Sequence, residues 1–187
     1  MPFTFHPTAL VDVVVVEPST FVDARGSFRE TFKASDFAEA GIPAEFVQTN
    51  LSVSRTGVLR GLHFQIDPAA QGKLVSCSAG SVFDVAVDLR HGSPTFGQWT
   101  AEELSVANGR MLWIPVGFAH GFCVLEGDAV LTYSVTSAYS APHDGGIAWD
   151  DPDIGVAWPV AEPVLSDKDR ALPLWRDCDP GFRYSAH

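Results

Sequence analysis

Short stretches in which apolar and polar residues alternate, separated by turn-forming residues, recur along most of the chain. Alternation at every second position, with many β-branched residues, is typical of strands that bury one face. We predict strands over residues 11–16, 46–54 and 58–65, two strands around Ala79-Gly80 within 73–89, and three more within 110–117, 119–127 and 129–140. Glycine turns at short spacing between these segments favour a β-sandwich or a barrel.

Helical patterns are few. One helix is predicted over residues 35–40 with Ser35 as its N-cap, because a serine oxygen accepts hydrogen bonds from the free amides of a first turn. Beyond Asp150 the chain is rich in proline and aspartate, so we predict irregular structure there, with a short helix near residues 167–171. Neither a linker nor a repeat divides the sequence, and residues 1–187 are expected to form a single domain.

Residues 13–16 are four consecutive valines. A strand that is apolar on both faces is expected to be covered on both of them. If such a strand forms an edge of the sheet, it pairs readily with a second chain, which favours a homodimer. The alternative is a strand that lies buried within one subunit.

Composition and charge narrow the class of protein. Hydrophobic residues make up 46% of the chain, as in a globular domain. The net charge of −11 argues against a general nucleic-acid binder, which needs a basic surface. The longest apolar runs fall well short of the ~20 residues that cross a membrane, and no secretory leader is recognisable. We therefore expect a cytoplasmic protein that binds neither nucleic acid nor membrane.

The three cysteines, Cys77, Cys123 and Cys178, lie far apart and form no CxxC pair. This spacing favours neither a disulfide framework nor a zinc site. The cytosol, where thiols stay reduced, is consistent with such a pattern.

The segment RGLHFQ, residues 60–65, contains the first candidate for chemistry. On a regular strand Arg60 and His63 face opposite sides, unless a bulge at Gly61 intervenes. A lone histidine on an apolar strand is more often structural than catalytic. Because Lys73, His120 and Tyr133 also lie at or near strand ends, we favour a shared pocket.

Gly109, Pro115, Gly117 and His120 have the spacing G-x5-P-x-G-x2-H, which resembles the second motif of the cupin superfamily. The first cupin motif normally contains a His-x-His pair that binds a metal. Here that place reads His63-Phe64-Gln65, and Lys73 occupies a position where an acidic ligand is expected. Two histidines beside a lysine make a poor site for a divalent cation, so we expect no metal and no other cofactor. A tight turn between strands is the alternative interpretation of the second motif.

The segment SDKDRALP, residues 166–173, is a further candidate. Taken alone, it is typical of a capped turn on the surface, because serine and aspartate are common cap residues.

Six segments together resemble the dTDP-4-dehydrorhamnose 3,5-epimerase family. In chain order they are FVDARGSF, FVQTNLSVS, VLRGLHFQ, AQGKLVSCSAGSVFDVAVDLRHGSPTFGQW, LWIPVGFAHGF and SDKDRALPL. The resemblance implies an all-β fold, a cupin double-stranded β-helix (jelly roll) with a few short peripheral helices. It also implies a homodimer, no metal and no nicotinamide.

The resemblance assigns the acid–base chemistry to three residues. It makes His63 the base, Asp169 its partner and Tyr133 the proton donor. Lys73 matches a contact to the substrate and is placed to stabilise an oxyanion.

Other positions match residues that bind the substrate in the family. The set comprises Arg25, Phe28, Glu30, Gln48, Asn50, Arg60, His120, Tyr139, Asp144 and Lys168. Tyr139 matches the ring that stacks on thymine, and Asp144 stands where the family often has Glu. Arg25 and Glu30 match contacts that the family builds partly across its dimer.

The chemistry of a 4-keto-6-deoxyhexose explains why such groups are needed. The C4 carbonyl makes the hydrogens on C3 and C5 acidic, and their removal leaves an enolate. A base on one face and an acid on the other then invert the carbon. Histidine suits the base because its ordinary pKa lies nearest neutrality, and a carboxylate partner stabilises the cation that forms.

Two departures from the family pattern concern the substrate. Ser134 follows Tyr133 where a lysine is common, and Ala138 precedes Tyr139 where a second tyrosine is common. The loss of one ring loosens the nucleotide pocket and leaves the exact substrate open. One alternative is therefore an epimerase that inverts only C3 or only C5, as in antibiotic deoxysugar pathways.

Two further alternatives belong to other classes. The first is a cupin that only binds a sugar nucleotide, in which His63, Asp169 and Tyr133 do not meet at one pocket. The second is a metal-dependent cupin oxygenase or isomerase, which Gln65 and Lys73 disfavour.

Overall fold

The computed structural model describes residues 2–43 and 45–185. Within these residues it contains two short α-helices and eleven strands. The helices are α1 (Ala34–Glu39) and α2 (Asp167–Arg170). The strands are β1 (Phe3–Pro7), β2 (Val14–Pro18), β3 (Thr20–Asp23), β4 (Gly26–Arg29), β5 (Gln48–Ser54), β6 (Leu59–Gln65), β7 (Lys73–Asp88), β8 (Trp99–Ser105), β9 (Met111–Ile114), β10 (Phe118–Val135) and β11 (Asp144–Gly146).

The strands β7 and β10 form the centre of a nine-stranded antiparallel sheet. They contain 16 and 18 residues, and each has one set of partners along its first half and another along its second. The first half of β7 pairs with β9 and its second half with β8, while β10 pairs first with β6 and then with β5. This exchange of partners is how two sheets wrap around one core in a jelly roll, and the predicted all-β cupin fold is confirmed.

The interior of the barrel is filled by apolar side chains of these strands. Val75, Leu112, Phe122 and Leu131 belong to one buried cluster, each at most 4% exposed. A second buried cluster lies beneath α1, where Phe37 contacts Phe3 at 5.2 Å between ring centroids. The helix α1 therefore covers part of the outer face of the sheet.

Two predicted pairs of strands are in fact single long strands. The expected break at Ala79-Gly80 lies inside β7, and the break near residue 128 lies inside β10. At both places the register between the two strands shifts, and Gly80 has a φ of +69°. The turn signals in the sequence thus mark bulges, which bend a strand without ending it.

Residues 13–16 do not form an edge of the sheet, so the alternative of a strand buried within one subunit is confirmed. β2 begins at Val14 and pairs with β1 on one side and β9 on the other, so it lies inside the sheet. Val16 is fully buried, as expected for a strand that is covered on both faces. The strand-edge argument for a homodimer therefore fails.

The two predicted helices are confirmed, with one correction to a cap. α1 begins at Ala34 and its N-cap is Lys33, whose side chain caps no amide, so Ser35 is not the cap. The Ser35 hydroxyl donates to Asp36 instead, at 2.9 Å. In α2, Ser166 is the N-cap and its side chain accepts a hydrogen bond from the amide of Asp169. Neither helix has the length or the apolar character needed to cross a membrane.

Candidate active site

A cavity of about 230 Å³ lies between the strands at one end of the barrel. The strands β5, β6, β7 and β10, together with β11, α2 and the loop that follows β10, supply its walls. The lining side chains are Gln48, Asn50, His63, Phe64, Gln65, Gln71, Lys73, Tyr133, Tyr139, Asp144 and Lys168. Eight of these eleven were predicted as site residues, and the cavity brings them together.

His63 and Asp169 form a short hydrogen bond of 2.6 Å between Nε2 and Oδ1. Asp169 is 4% exposed, and its second oxygen accepts a hydrogen bond of 2.7 Å from the Ser166 hydroxyl. Burial raises the pKa of Asp169, but the hydrogen bonds from His63 and Ser166 outweigh burial and hold that pKa below its ordinary value. The carboxylate is thus charged at neutrality and fixes the imidazole through Nε2, so Nδ1 is the nitrogen available to accept or donate a proton.

The orientation of His63 depends on a bulge in β6. His63 pairs with His120 and Arg60 pairs with Phe122, so β6 has one residue more than β10 between these pairs. Since His120 and Phe122 share one face of β10, Arg60 and His63 are turned toward the same side of the sheet. Gly61 occupies the bulge with a φ of +134°, and a Cβ there would lie 2.5 Å from the Cα of Gly121. The bulge anticipated at Gly61 is confirmed.

Lys73 is the first residue of β7, and its side chain lines the cavity. Burial lowers its pKa to about 8, and the nearby carboxylates of Asp144 and Asp84 limit the decrease. An ammonium group with this pKa is mostly charged at neutral pH and loses its proton more easily than an exposed lysine.

Tyr133 enters the cavity from β10, next to β5 and β7. It is paired with Asn50 of β5 and Val75 of β7, and its ring packs against the interior cluster. His63, Lys73 and Tyr133 therefore reach one cavity from three different strands, which gives each of them a fixed backbone.

His120 lies beside His63 but is not among the lining side chains. It is 7% exposed, and its Nε2 forms a hydrogen bond of 2.8 Å with Oδ1 of Asp84. Asp84 is fully buried, and its second oxygen has no hydrogen-bond partner among the described residues. Asp84 was not predicted as a site residue, although an aspartate within the apolar run FDVAVD is a signal for a buried polar contact.

Three predicted ligand contacts form a second group at the mouth of the cavity. Lys168 donates to Oδ2 of Asp144 at 2.5 Å, and the Tyr139 hydroxyl donates to the same oxygen at 3.2 Å. The hydrogen bond with Asp144 raises the pKa of Lys168, so this lysine stays charged. Next to Tyr139, the Gln48 amide donates to Oδ1 of Asn50 at 2.6 Å, and the Gln48 side-chain oxygen accepts from the amide of Tyr139 at 2.9 Å.

Six predicted site residues do not line the cavity of their own chain: Asp169 and His120, which lie behind His63, and four others. Arg60 is exposed and donates to the Ser54 hydroxyl at 3.0 Å. The other three, Arg25, Phe28 and Glu30, lie on or just after the hairpin of β3 and β4. Arg25 pairs with Asp23 at 2.6 Å, and Phe28 is 66% exposed.

The two departures from the family pattern have different consequences. The hydroxyl of Ser134 lies 3.0 Å from that of Thr49, and both residues face away from the cavity because they alternate with Tyr133 and Asn50. Ser134 therefore does not line this cavity. Ala138, in contrast, belongs to the loop that carries Tyr139.

Gln65, which replaces a metal ligand of the cupin pattern, uses both ends of its amide on backbone groups. Its Nε2 donates to the carbonyl oxygens of Ala69 and Ala138, and its Oε1 accepts from the amide of Ser140. Across residues 2–43 and 45–185, no three or more His, Cys, Asp or Glu side chains cluster in a way that would hold a metal ion. Gln65 and Gln71 line the cavity and were not predicted as site residues.

Comparison with known proteins gives one consistent result. Residues 7–177 match the family model described as dTDP-4-dehydrorhamnose 3,5-epimerase. A relative of that name from Shigella flexneri is 55% identical over 163 residues, which is 87% of this chain and 90% of the relative. The solved structure of an epimerase from Legionella pneumophila, in complex with dTDP-4-keto-L-rhamnose, is 46% identical with a TM-score of 0.94, covering 98% of this chain and 100% of that one.

A more distant solved structure differs in what it does to the sugar. It is a 3'-monoepimerase from Streptomyces bikiniensis in complex with dTDP-quinovose. It is 36% identical with a TM-score of 0.85, covering 90% of this chain and 86% of that one. The same fold thus occurs in proteins that invert one centre and in proteins named for two.

Proposed function

The chain belongs to the dTDP-4-dehydrorhamnose 3,5-epimerase family, and from this premise we propose that it epimerises a dTDP-linked 4-keto-6-deoxyhexose with His63 as the base. The observation that carries the proposal is the hydrogen bond between His63 and Asp169, at a cavity that Lys73 and Tyr133 share. A protein that only bound the sugar nucleotide would have no use for this grouping.

Proton removal is assigned to His63. With Nε2 hydrogen-bonded to the Asp169 carboxylate, Nδ1 is the nitrogen that remains to take a proton from C3 or C5 of the sugar. The imidazolium that results is stabilised by the carboxylate, which stays ionised because its pKa is held low. The bulge at Gly61 keeps the ring turned into the cavity.

Lys73 is assigned to the oxygen on C4. As the proton leaves, negative charge develops on this oxygen, and an ammonium group held nearby lowers the energy of the enolate by ~3 kcal/mol. The pKa of about 8 keeps most of the Lys73 side chains charged at neutral pH, while burial strengthens the interaction.

Tyr133 is assigned to the return of the proton. Inversion requires that the proton arrive on the face opposite the base, and Tyr133 approaches the cavity from β10 while His63 approaches from β6. A phenol hydroxyl is neutral at physiological pH and has a proton to give. Its place on a paired strand, against the interior cluster, keeps the donor in one position.

Recognition of the nucleotide is assigned to the mouth of the cavity. The ring of Tyr139 is 58% exposed and is available to stack on thymine. Lys168 and Arg60 supply the positive charge for the diphosphate, and Gln48 and Asn50 supply hydrogen bonds to the sugar. His120, held by Asp84, contacts the sugar only if the substrate reaches past the lining side chains.

We also propose that the chain acts as a homodimer, on grounds other than a free edge at β2. α1 covers the outer face of the sheet near β1, whereas the outer face near β5 presents Leu51 and Val53, which are 64% and 62% exposed. The hairpin of β3 and β4 presents Phe21 and Phe28, which are 63% and 66% exposed. Apolar surface of this kind marks an interface, and the hairpin would bring Arg25 and Glu30 to a partner's cavity.

Sedimentation tests the dimer. The protein is expected to sediment as a dimer at micromolar concentration, and Leu51→Asp is expected to shift it toward the monomer. Sedimentation of the unmodified protein as a monomer throughout this range would contradict the proposal.

The proton chemistry is tested by exchange in deuterated water with a dTDP-4-keto-6-deoxyglucose substrate. His63→Asn is expected to abolish exchange at both C3 and C5, because the base is gone. Tyr133→Phe is expected to exchange protons but yield little inverted product, because the donor on the opposite face is missing. Retained exchange in the first variant, or full inversion in the second, would show that another residue has the role.

A second candidate is inversion of a single centre by the same residues. Two observations support single-centre inversion as a second candidate: the similarity to the 3'-monoepimerase and the presence of Ala138 where the family often has a tyrosine. The count of deuterium on each carbon in the same experiment separates the two, because a single-centre enzyme labels only C3 or only C5.

A further inference from the structure

Three glutamine side chains hold the loop that carries Tyr139. Between Val135, the last residue of β10, and the turn at Ala141–His143, four consecutive residues form hydrogen bonds with glutamine amides. The bonds are Gln71 Nε2 to Ser137 O at 2.5 Å, Gln65 Nε2 to Ala138 O at 3.2 Å, Tyr139 N to Gln48 Oε1 at 2.9 Å and Ser140 N to Gln65 Oε1 at 2.7 Å.

These bonds satisfy backbone groups of the loop, as a neighbouring strand satisfies those of a strand in a sheet. A loop has no ladder of its own, so its amides and carbonyls turn to water or to side chains. Here each of the four residues has one backbone group engaged by a side chain of β5, β6 or the segment just before β7. The loop is thus fixed to the barrel and is less free than its exposure suggests.

Of the three glutamines, Gln65 forms the most hydrogen bonds with the loop. It is 4% exposed, so its amide is shielded from water and needs partners within the protein. Besides Ala138 and Ser140 it donates to Ala69 O at 2.7 Å. Because a buried amide without partners is costly, the loop and Gln65 hold each other in place.

The Tyr139 ring is also fixed at its far end. Its hydroxyl donates to Asp144, which in turn pairs with Lys168 and lies opposite Gln65 in the register of β11 and β6. An exposed ring that is held at its backbone and at its hydroxyl is a rigid platform.

We propose that Gln65 and Gln71 are positioning residues, which fix the loop so that Tyr139 is already placed to receive the thymine base. This inference rests on the proposed function, in which Tyr139 stacks on thymine. A platform that is ordered before binding loses less entropy when the nucleotide arrives, so the glutamines set affinity for the nucleotide. We assign them no part in proton transfer, since both ends of the Gln65 amide bond to the loop and to Ala69, and the Gln71 amide donates to Ser137 of the loop.

The test measures binding of two probes by calorimetry, dTDP and inorganic pyrophosphate. Gln65→Met and Gln71→Met each remove an amide and keep the length of the side chain. Each variant is expected to bind dTDP about tenfold more weakly than the unmodified protein. Pyrophosphate has no base to stack, so its affinity is expected to stay within twofold. In turnover, KM is expected to rise as dTDP affinity falls, with kcat within twofold.

Tyr139→Ala and the double variant Gln65→Met/Tyr139→Ala complete the test. Loss of the ring is expected to lower the affinity for dTDP about tenfold or more. The double variant is expected to bind dTDP no more weakly than Tyr139→Ala alone. Gln98→Met, at an exposed glutamine remote from the loop, is the matched control and is expected to bind dTDP normally.

The outcomes separate the inference from the function on which it rests. If Tyr139→Ala binds dTDP as tightly as the unmodified protein, the stacking role of Tyr139 fails. If Tyr139→Ala is weakened but Gln71→Met and a folded Gln65→Met are not, the positioning role fails. Additive losses in the double variant, or equal losses for pyrophosphate, would also overturn it, because they would mean that the glutamines act on the whole cavity.

Discussion

Replacement of Asp169 by asparagine removes the negative charge next to His63 and leaves the size of the side chain unchanged. In the structure the carboxylate is 2.6 Å from Nε2, with 5% of the Asp169 side chain and 29% of the His63 side chain exposed. Unit charges about 4 Å apart interact by about 4 kcal/mol at an effective dielectric constant near 20. Partial exposure of His63 leaves about 3 kcal/mol of stabilisation of the imidazolium, which corresponds to roughly a 10²-fold loss of kcat.

The assay for Asp169→Asn is the initial rate of epimerisation, followed by NMR in deuterated water. Exchange at C3 and C5 is expected to slow by the same factor as product formation, because removal of the proton creates the cation that Asp169 stabilises. The KM is expected to change little, since Asp169 is not among the side chains that line the cavity. The size of the loss therefore reports on the proton transfer itself.

Asp167→Asn is the matched control. Asp167 is the first residue of the same helix, α2, and it is exposed. The control is expected to keep full activity, and the melting temperatures of both variants establish that they fold. A folded Asp169→Asn protein with a kcat within threefold of the unmodified protein would refute the reasoning, because His63 would then not depend on a charged partner.

Three further predictions test other parts of the site. The rate kcat/KM is expected to fall as pH rises through about 8, where Lys73 loses its proton; Lys73→Met is expected to lower it by ~10²–10³-fold and to abolish this alkaline limb. Gly61→Ala is expected to destabilise the fold by about 3 kcal/mol or more in urea, because its Cβ meets Gly121; Gly26→Ala, at a similar φ of +127° with open space around it, is the control for backbone strain alone. His120→Leu leaves the buried Asp84 without its partner and is expected to destabilise the fold by ~3 kcal/mol, measured in the same urea titration.

The strands were predictable because one face of each is buried. Alternation located β5, β6 and β9 to within a few residues, and the short helix α2 followed from its serine cap. The same signals failed where a glycine bends a long strand: near Gly80 a turn composition accompanies a continuous strand. Local sequence does not reveal whether the neighbouring strand continues through such a bend, because that depends on residues about 50 positions away.

Some residues of the candidate site were likewise predictable from the sequence, and others were not. His63, Lys73 and Tyr133 were found from the sequence because titratable groups recur on or near its strands and the family resemblance assigns them roles. Asp84 and Gln65 were missed as partners, since each satisfies a polar group that only the folded chain brings near. Residues 63 and 169 are distant in sequence, and their contact arises because α2 packs on β6.

The arrangement of base and platform bears on how many carbons are inverted. Within the described lining of the cavity, His63 alone is hydrogen-bonded to a buried carboxylate, so C3 and C5 would have to be presented to the same imidazole. His63 is fixed by its bulge and by Asp169, and Tyr139 is fixed by its loop. In the proposed binding mode, the sugar ring therefore has to turn between a fixed base and a fixed nucleotide. Contacts to the sugar, and not the acid and the base, therefore decide between one inversion and two. Gln48 bonds both Asn50 and the backbone of Tyr139, which we propose as contacts to the sugar and to the base. A change at Gln48 is therefore expected to alter the ratio of C5 to C3 exchange more than the total rate.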